Sequence, residues 1–160
     1  MGDSKSGRAA DRARQLHGYY FEDLALGMRA TFSKTFTEAD VQAFTAISGD
    51  TNPLHLDPEF AAATRAGEPI LHGLLTASLF STLVGTRLPG PGGLYMSQEL
   101  KFLAPVQVGS TVCAEATVIE LNADKQRVRL KTVCTVEGEM VVVGEAWVWV
   151  PARGGVGDDL

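Results

Sequence analysis

Cysteine is scarce in this chain: two among 160 residues, Cys113 and Cys134. Both fall inside strand-like runs, and their spacing is not that of a zinc site. Only His17, His55 and His72 are available to complete a ligand set, so no metal is expected. That leaves a disulfide or two buried free thiols. Free thiols are the expectation, and they suit the cytoplasm. Positive charge is also in short supply. Fourteen Lys and Arg face nineteen Asp and Glu, for a net charge of −5, which argues against a nucleic-acid partner. No apolar run is long enough for a membrane helix. Leu71–Val84 is interrupted by Gly, Ser and Thr, and Met140–Val150 contains a Gly and a Glu. Met1–His17 is polar and lacks the apolar stretch of a secretory signal.

What remains is an ordinary globular composition, 45% hydrophobic and 21% charged, without internal repeats. Residues 1–17 are expected to form a disordered leader, 18–151 one domain, and the Gly-rich 152–160 a flexible tail. Met28–Thr37 alternates as a strand. Thr37 can cap a following helix, with Asp40 at the capping-box position and Gly49 ending it. Asp57 can cap a short helix opened by Pro58. About Gly73–Thr86 reads as one helix, apolar nearly all round and therefore buried. After the breaker Leu88–Gly93 come four strand runs, Leu94–Leu103, Thr111–Leu121, Arg127–Val136 and Met140–Val150. Short turns between the last three imply antiparallel pairing. A buried helix followed by such strands suggests an α+β fold with the sheet wrapped around the helix.

The chemistry-bearing stretch is Ser48-Gly49-Asp50-Thr51-Asn52-Pro53-Leu54-His55. A carboxylate and an imidazole stand five positions apart, with a turn-forming Asn-Pro between them. His72-Gly73 then opens the apolar helix, where the first N–H groups have no intrahelical partner. An acid–base pair plus a free amide can move protons at carbon next to a carbonyl. Asn52 is expected to bond the turn backbone and aim Asp50. His72 is expected to be a structural residue at the helix entrance.

Taken together, Phe36-Thr37-Glu38-Ala39-Asp40-Val41, the Gly49-Asp50-x-Asn52-Pro53-x-His55 segment, Ile70-Leu71-His72-Gly73 and Gln98-x-Leu100-x-Phe102-x-x-Pro105-Val106-x-x-Gly109 resemble the MaoC-like, (R)-specific enoyl-CoA hydratase family. The match runs over about Tyr20–Val150. The resemblance implies a hot-dog fold of about five antiparallel strands around a central helix, and a homodimer. It implies reversible hydration of a trans-2-enoyl-CoA to an (R)-3-hydroxyacyl-CoA, linked to fatty-acid oxidation or polyhydroxyalkanoate precursors. Asp50 and His55 would hold the catalytic water, and the Gly73 N–H would hold the thioester oxygen. A hydroxyl at Ser81 would line the substrate pocket, together with Ala77 and Asn52. Gly73, Ala77 and Ser81 share one helix face at steps of four. No cofactor is implied beyond the coenzyme A carried by the substrate.

Three other readings compete. They are dehydration of a β-hydroxyacyl group on an acyl carrier protein, thioester hydrolysis, and a non-catalytic acyl-binding module. The last is disfavoured, because a binding pocket gains nothing from a buried charged pair. Arg65, Arg87, Lys101 and Arg129 are candidate cations for coenzyme A phosphates, but each is more often an ordinary solvated surface charge.

Overall fold

A computed structural model describes residues 3–154. Its centre is a five-stranded antiparallel sheet of β1 (Arg29–Thr35), β2 (Leu94–Phe102), β3 (Thr111–Asn122), β4 (Arg127–Val136) and β5 (Glu139–Trp149), in the order β1-β3-β4-β5-β2. The last three strands pair consecutively, as their turn lengths required. Alternation puts Val112, Ala114, Ala116 and Val118 of β3 on the buried face, with Val128, Leu130 and Cys134 of β4 beside them. Both thiols are free.

Against that face lie α5 (Gly73–Ala77) and α6 (Leu79–Thr86), burying Leu75, Ala77, Leu79, Phe80, Leu83 and Val84. The expected single helix is thus two segments. The break falls at Ser78, whose hydroxyl bonds the Leu75 carbonyl at 2.6 Å and whose N–H reaches both the Leu74 and Leu75 carbonyls. Ser81 N–H then closes a tighter turn onto the Ser78 carbonyl at 3.0 Å. Such a three-residue turn is tighter than the α-helical one.

The shorter helices follow their local signals. In α2 (Glu38–Ser48), Thr37 N–H donates to Asp40 Oδ2 at 2.8 Å, and Gly49 ends the helix in the left-handed region at φ 77°. Asp57 accepts from the Glu59 and Phe60 N–H groups to cap α4 (Pro58–Ala62). Between them, Pro53–Leu56 forms one further turn, α3.

The segment expected to lack structure at the start of the chain differs. Asp3–Leu16 is a helix, α1. Ala9, Ala10, Ala13, Arg12 and Arg14 are strong helix formers, and that local preference outweighs the polar composition. Gly18 and Tyr19 then tie the chain to the Pro89–Pro91 loop through N–H donations of 2.7 and 2.8 Å. Of the expected tail, residues 155–160 lie outside the described residues. Among the described residues, no helix is long and apolar enough to cross a membrane.

Candidate active site

The left-handed Gly49 turns the chain sharply out of α2, so the next residues fold back as a loop. Asp50 is held within it: its Oδ1 accepts from Asn52 N–H at 3.2 Å. The Asn52 side chain meanwhile accepts from Leu54 N–H at 3.1 Å and caps α3, which carries His55. Asn52 therefore aims Asp50 through its main chain and starts the turn that presents His55.

The His55 ring is anchored from behind. Its Nδ1 lies 2.8 Å from the Ile70 carbonyl oxygen. A carbonyl only accepts, so Nδ1 carries the proton and the neutral ring offers Nε2 as an acceptor. That Nε2 stands 4.0 Å from Asp50 Oδ2. The gap is too long for a direct hydrogen bond. It is the separation at which one water can bond both atoms, each arm about 2.8 Å. The two side chains differ in setting: His55 is 10% exposed and Asp50 48%.

Both border a cavity of about 480 Å³ lined also by Gly73, Leu74, Thr76, Phe102 and Val142. Gly73 is the first residue of α5, and its N–H has no intrahelical acceptor. Asp50, His55 and Gly73 are thus brought together. Asn52, Ala77 and Ser81 do not line this cavity. Asn52 is spent on the turn. Ala77 is buried in the core. Ser81 lies past the break at Ser78, in α6, and is exposed. Thr76 takes that place in the lining, with its hydroxyl on the His72 carbonyl at 3.4 Å.

Two lining features escaped the reading of single residues. Phe102 and the Leu103–Val106 turn wall the cavity from the sheet side. Their only signal was the Phe102-x-x-Pro105-Val106 pattern. His72 is buried and stacks on His55, with ring centroids 3.9 Å apart. Two of the candidate coenzyme A cations are already engaged. The Arg129 guanidinium meets the Glu120 and Glu145 carboxylates, and the Arg87 guanidinium donates to the Thr31 carbonyl.

Asp50, His55 and His72 bring ligand-type atoms within 4.8 Å of one another. The His72 Nε2 faces the Asp50 carbonyl oxygen at 3.1 Å and must carry its own proton there. With His55 Nδ1 donating to Ile70 and His72 Nε2 to the Asp50 carbonyl, the lone pairs left are those of His55 Nε2, the Asp50 carboxylate and the buried, unpartnered His72 Nδ1.

A model of the MaoC like domain family matches residues 25–142. The (R)-specific enoyl-CoA hydratase of Rhodospirillum rubrum is 48% identical over 136 residues, which is 85% of this chain and 94% of that protein. The 3-hydroxybutyryl-CoA dehydratase of Methylorubrum extorquens is 47% identical over 139 residues, covering 87% and 88% respectively. Among solved structures, the (R)-hydratase from Aeromonas caviae involved in PHA biosynthesis superimposes with a TM-score of 0.80 at 49% identity, over 81% of this chain and 99% of that one.

Proposed function

This chain belongs to the MaoC-like domain family, and we infer that it is an (R)-specific enoyl-CoA hydratase of hot-dog fold, a hydro-lyase that adds water reversibly to trans-2-enoyl-CoA. Its product is an (R)-3-hydroxyacyl-CoA, which suits polyhydroxyalkanoate precursor supply or fatty-acid oxidation. The observation that carries this reading is the 4.0 Å gap between His55 Nε2 and Asp50 Oδ2, opening on a cavity that also holds the Gly73 amide.

In the mechanism we propose, one water sits between the two side chains. Its oxygen bonds C3 of the enoyl group while His55 Nε2 takes one of its protons. Asp50 accepts a hydrogen bond from the other water O–H, which stays with the oxygen as the product hydroxyl, and holds it on line. The C2=C3 pair shifts toward the thioester carbonyl, and the Gly73 N–H meets the negative charge gathering on its oxygen. A preorganised donor of this kind contributes on the order of 3 kcal/mol to a transition state. The proton on His55 then passes to C2, so H and OH add to the same face and the ring returns to its starting form. No metal and no cofactor beyond the coenzyme A of the substrate enters these steps.

The reading includes a homodimer in the cytoplasm. The two free thiols fit a reducing compartment. The edge strand β2 exposes Leu94, Tyr95, Met96 and Phe102, an apolar border that a second copy can cover. Light scattering after gel filtration tests the dimer, and a monomer at micromolar concentration removes it.

The reaction is tested with crotonyl-CoA by following loss of the enoyl-thioester absorbance, with chiral analysis of the product. The expected result is (R)-3-hydroxybutyryl-CoA. Release of free thiol with the enoyl band intact would move the protein to thioester hydrolysis.

A further inference from the structure

His72 stands where the three parts of the site meet. Its ring is only 2% exposed. Its Nε2 lies 3.1 Å from the Asp50 carbonyl oxygen and 3.3 Å from Thr45 Oγ1. Its face stacks on the His55 ring at 3.9 Å with a tilt of 33°, and Phe44 packs against it at 4.9 Å. Its main chain runs directly into Gly73. One side chain therefore touches the acid–base pair twice, and the next peptide unit supplies the amide donor.

A residue present only for packing would look different. At the position before a helix, Ser, Thr, Asp or Asn would cap the free N–H groups, yet the His72 side chain makes no cap hydrogen bond. Its Nδ1 is buried and has no hydrogen-bond partner among the described residues. A phenylalanine or leucine would fill the same space without leaving that nitrogen desolvated. The imidazole breaks two local preferences, and what it gains is the bond from Nε2–H to Asp50. Because a carbonyl oxygen only accepts, that bond places the proton on Nε2. His55 carries the opposite tautomer, with its proton on Nδ1 toward Ile70.

We propose that His72, in its Nε2–H form, is a positioning residue for the hydration: it holds the Asp50 main chain and the His55 ring in register with the Gly73 N–H. The proposal rests on the hydratase reading above. Its work is orientation of groups that touch the water and the thioester, and it takes no proton itself. Loosening it lets the Asp50 loop and the His55 ring drift, and a displacement of about 1 Å at such a site costs about 10²-fold in rate.

Two measurements test it. Long-range ¹H–¹⁵N spectra of the wild-type imidazoles at neutral pH report tautomers directly, and the chain has only three histidines. His72 is expected as Nε2–H and His55 as Nδ1–H. His72 found as Nδ1–H, or doubly protonated, overturns the proposal whether or not any variant folds. In kinetics with crotonyl-CoA, His72→Phe keeps a ring and loses the donor, while His72→Gln keeps a donor at similar reach. The first is expected to lower kcat by about 10²-fold with KM nearly unchanged, and the second to recover part of that loss. An unchanged kcat in His72→Phe overturns the proposal. So does equal loss in both variants accompanied by a matching fall in melting temperature, which marks a packing role. A wild-type protein that hydrates no enoyl-CoA sinks the hydratase reading; an active wild type with an unaffected His72→Phe sinks only the positioning role.

Discussion

Gly73 lies directly against the ring of Phe102: a Cβ built on Gly73 would come 2.8 Å from Phe102 Cε1 and 3.0 Å from Cδ1. Glycine at the head of α5 lets that ring stay where it is and, on the proposed reading, leaves a thioester oxygen an open approach to the amide.

Gly73→Ala separates these two effects. Phe102 is 52% exposed and can swing aside, so the melting temperature is expected to fall only slightly. Turnover of crotonyl-CoA is expected to fall by about 10²-fold or more, as when a donor to a developing oxyanion is lost. Adding Phe102→Ala removes the clash and leaves the methyl beside the amide, so the double variant should stay slow. A double variant at wild-type rate would show that the clash alone mattered.

Asp50→Asn keeps an oxygen able to accept from Asn52 N–H, so the loop should hold and the melting temperature should stay close to that of the wild type. Turnover is expected to drop by about 10²–10⁴-fold. His55→Ala should do the same. If both groups act on one water, as proposed, the double variant should be little worse than either single one. Fully multiplicative losses would argue for two independent roles.

The N-terminus of α2 makes stability depend on acid. The Thr37 backbone N–H, and after it the Lys34 ammonium, hold the Asp40 carboxyl below the ordinary aspartate range. A depressed folded-state value means that the unfolded chain binds the proton more readily. The stabilisation is therefore present above the unfolded value, near pH 4, and is lost as pH falls through the lower folded value. Asp40→Ala should flatten this part of the pH–stability curve below about pH 4, measured by urea midpoints. An unchanged acid limb would remove Asp40 from it. Thr37→Ala should cost about 1 kcal/mol at neutral pH.

Burial pushes the Cys134 thiol up to about 12, and its sulfur lies 3.8 Å from the Thr76 carbonyl oxygen. The thiolate is the reactive form. Iodoacetamide at pH 8 should therefore leave Cys134 unmodified in the folded protein and label it in guanidinium, as read by mass spectrometry. Rapid labelling without denaturant would contradict this packing. The sign on stability is opposite to that of Asp40. The unfolded chain loses this proton first, so the contribution declines as pH rises from the ordinary thiol range toward 12.

Gly144 of β5 permits β2 to pair. A Cβ there would come 1.8 Å from the Glu99 carbonyl oxygen, a backbone atom that cannot step aside alone. Gly144→Ala is expected to lower the melting temperature by more than any other variant above. It should also slow hydration, because β2 carries Phe102 to the cavity wall. A melting temperature like that of the wild type would mean that the two strands separate at little cost.

Much of this architecture was legible in local chemistry. Thr37 with Asp40, the left-handed Gly49, and Asp57 before Pro58 each satisfy free N–H or carbonyl groups within a few residues, so short windows predict them. Alternation in β3 to β5 and their short turns define antiparallel pairing for the same reason. The Asp50–His55 pairing was legible because Asn52 and Pro53 enforce one tight turn between them.

Sequence alone therefore determined the strands, the caps, the turn that joins Asp50 to His55 and the glycine that heads α5, since those depend on near neighbours; α1 and the break at Ser78, equally local, were not expected. Tertiary structure decided the rest. Which helical residues face the cavity is one such case: Thr76 lines it and Ser81 does not. Phe102 reaches Gly73 only because β2 pairs with β5 at the far edge of the sheet. His72 reads as structural in the sequence, and only folding lays its ring on His55 and its nitrogen against Asp50, twenty-two positions earlier in the chain. Contacts between distant segments carry no local periodicity, so packing alone could reveal them.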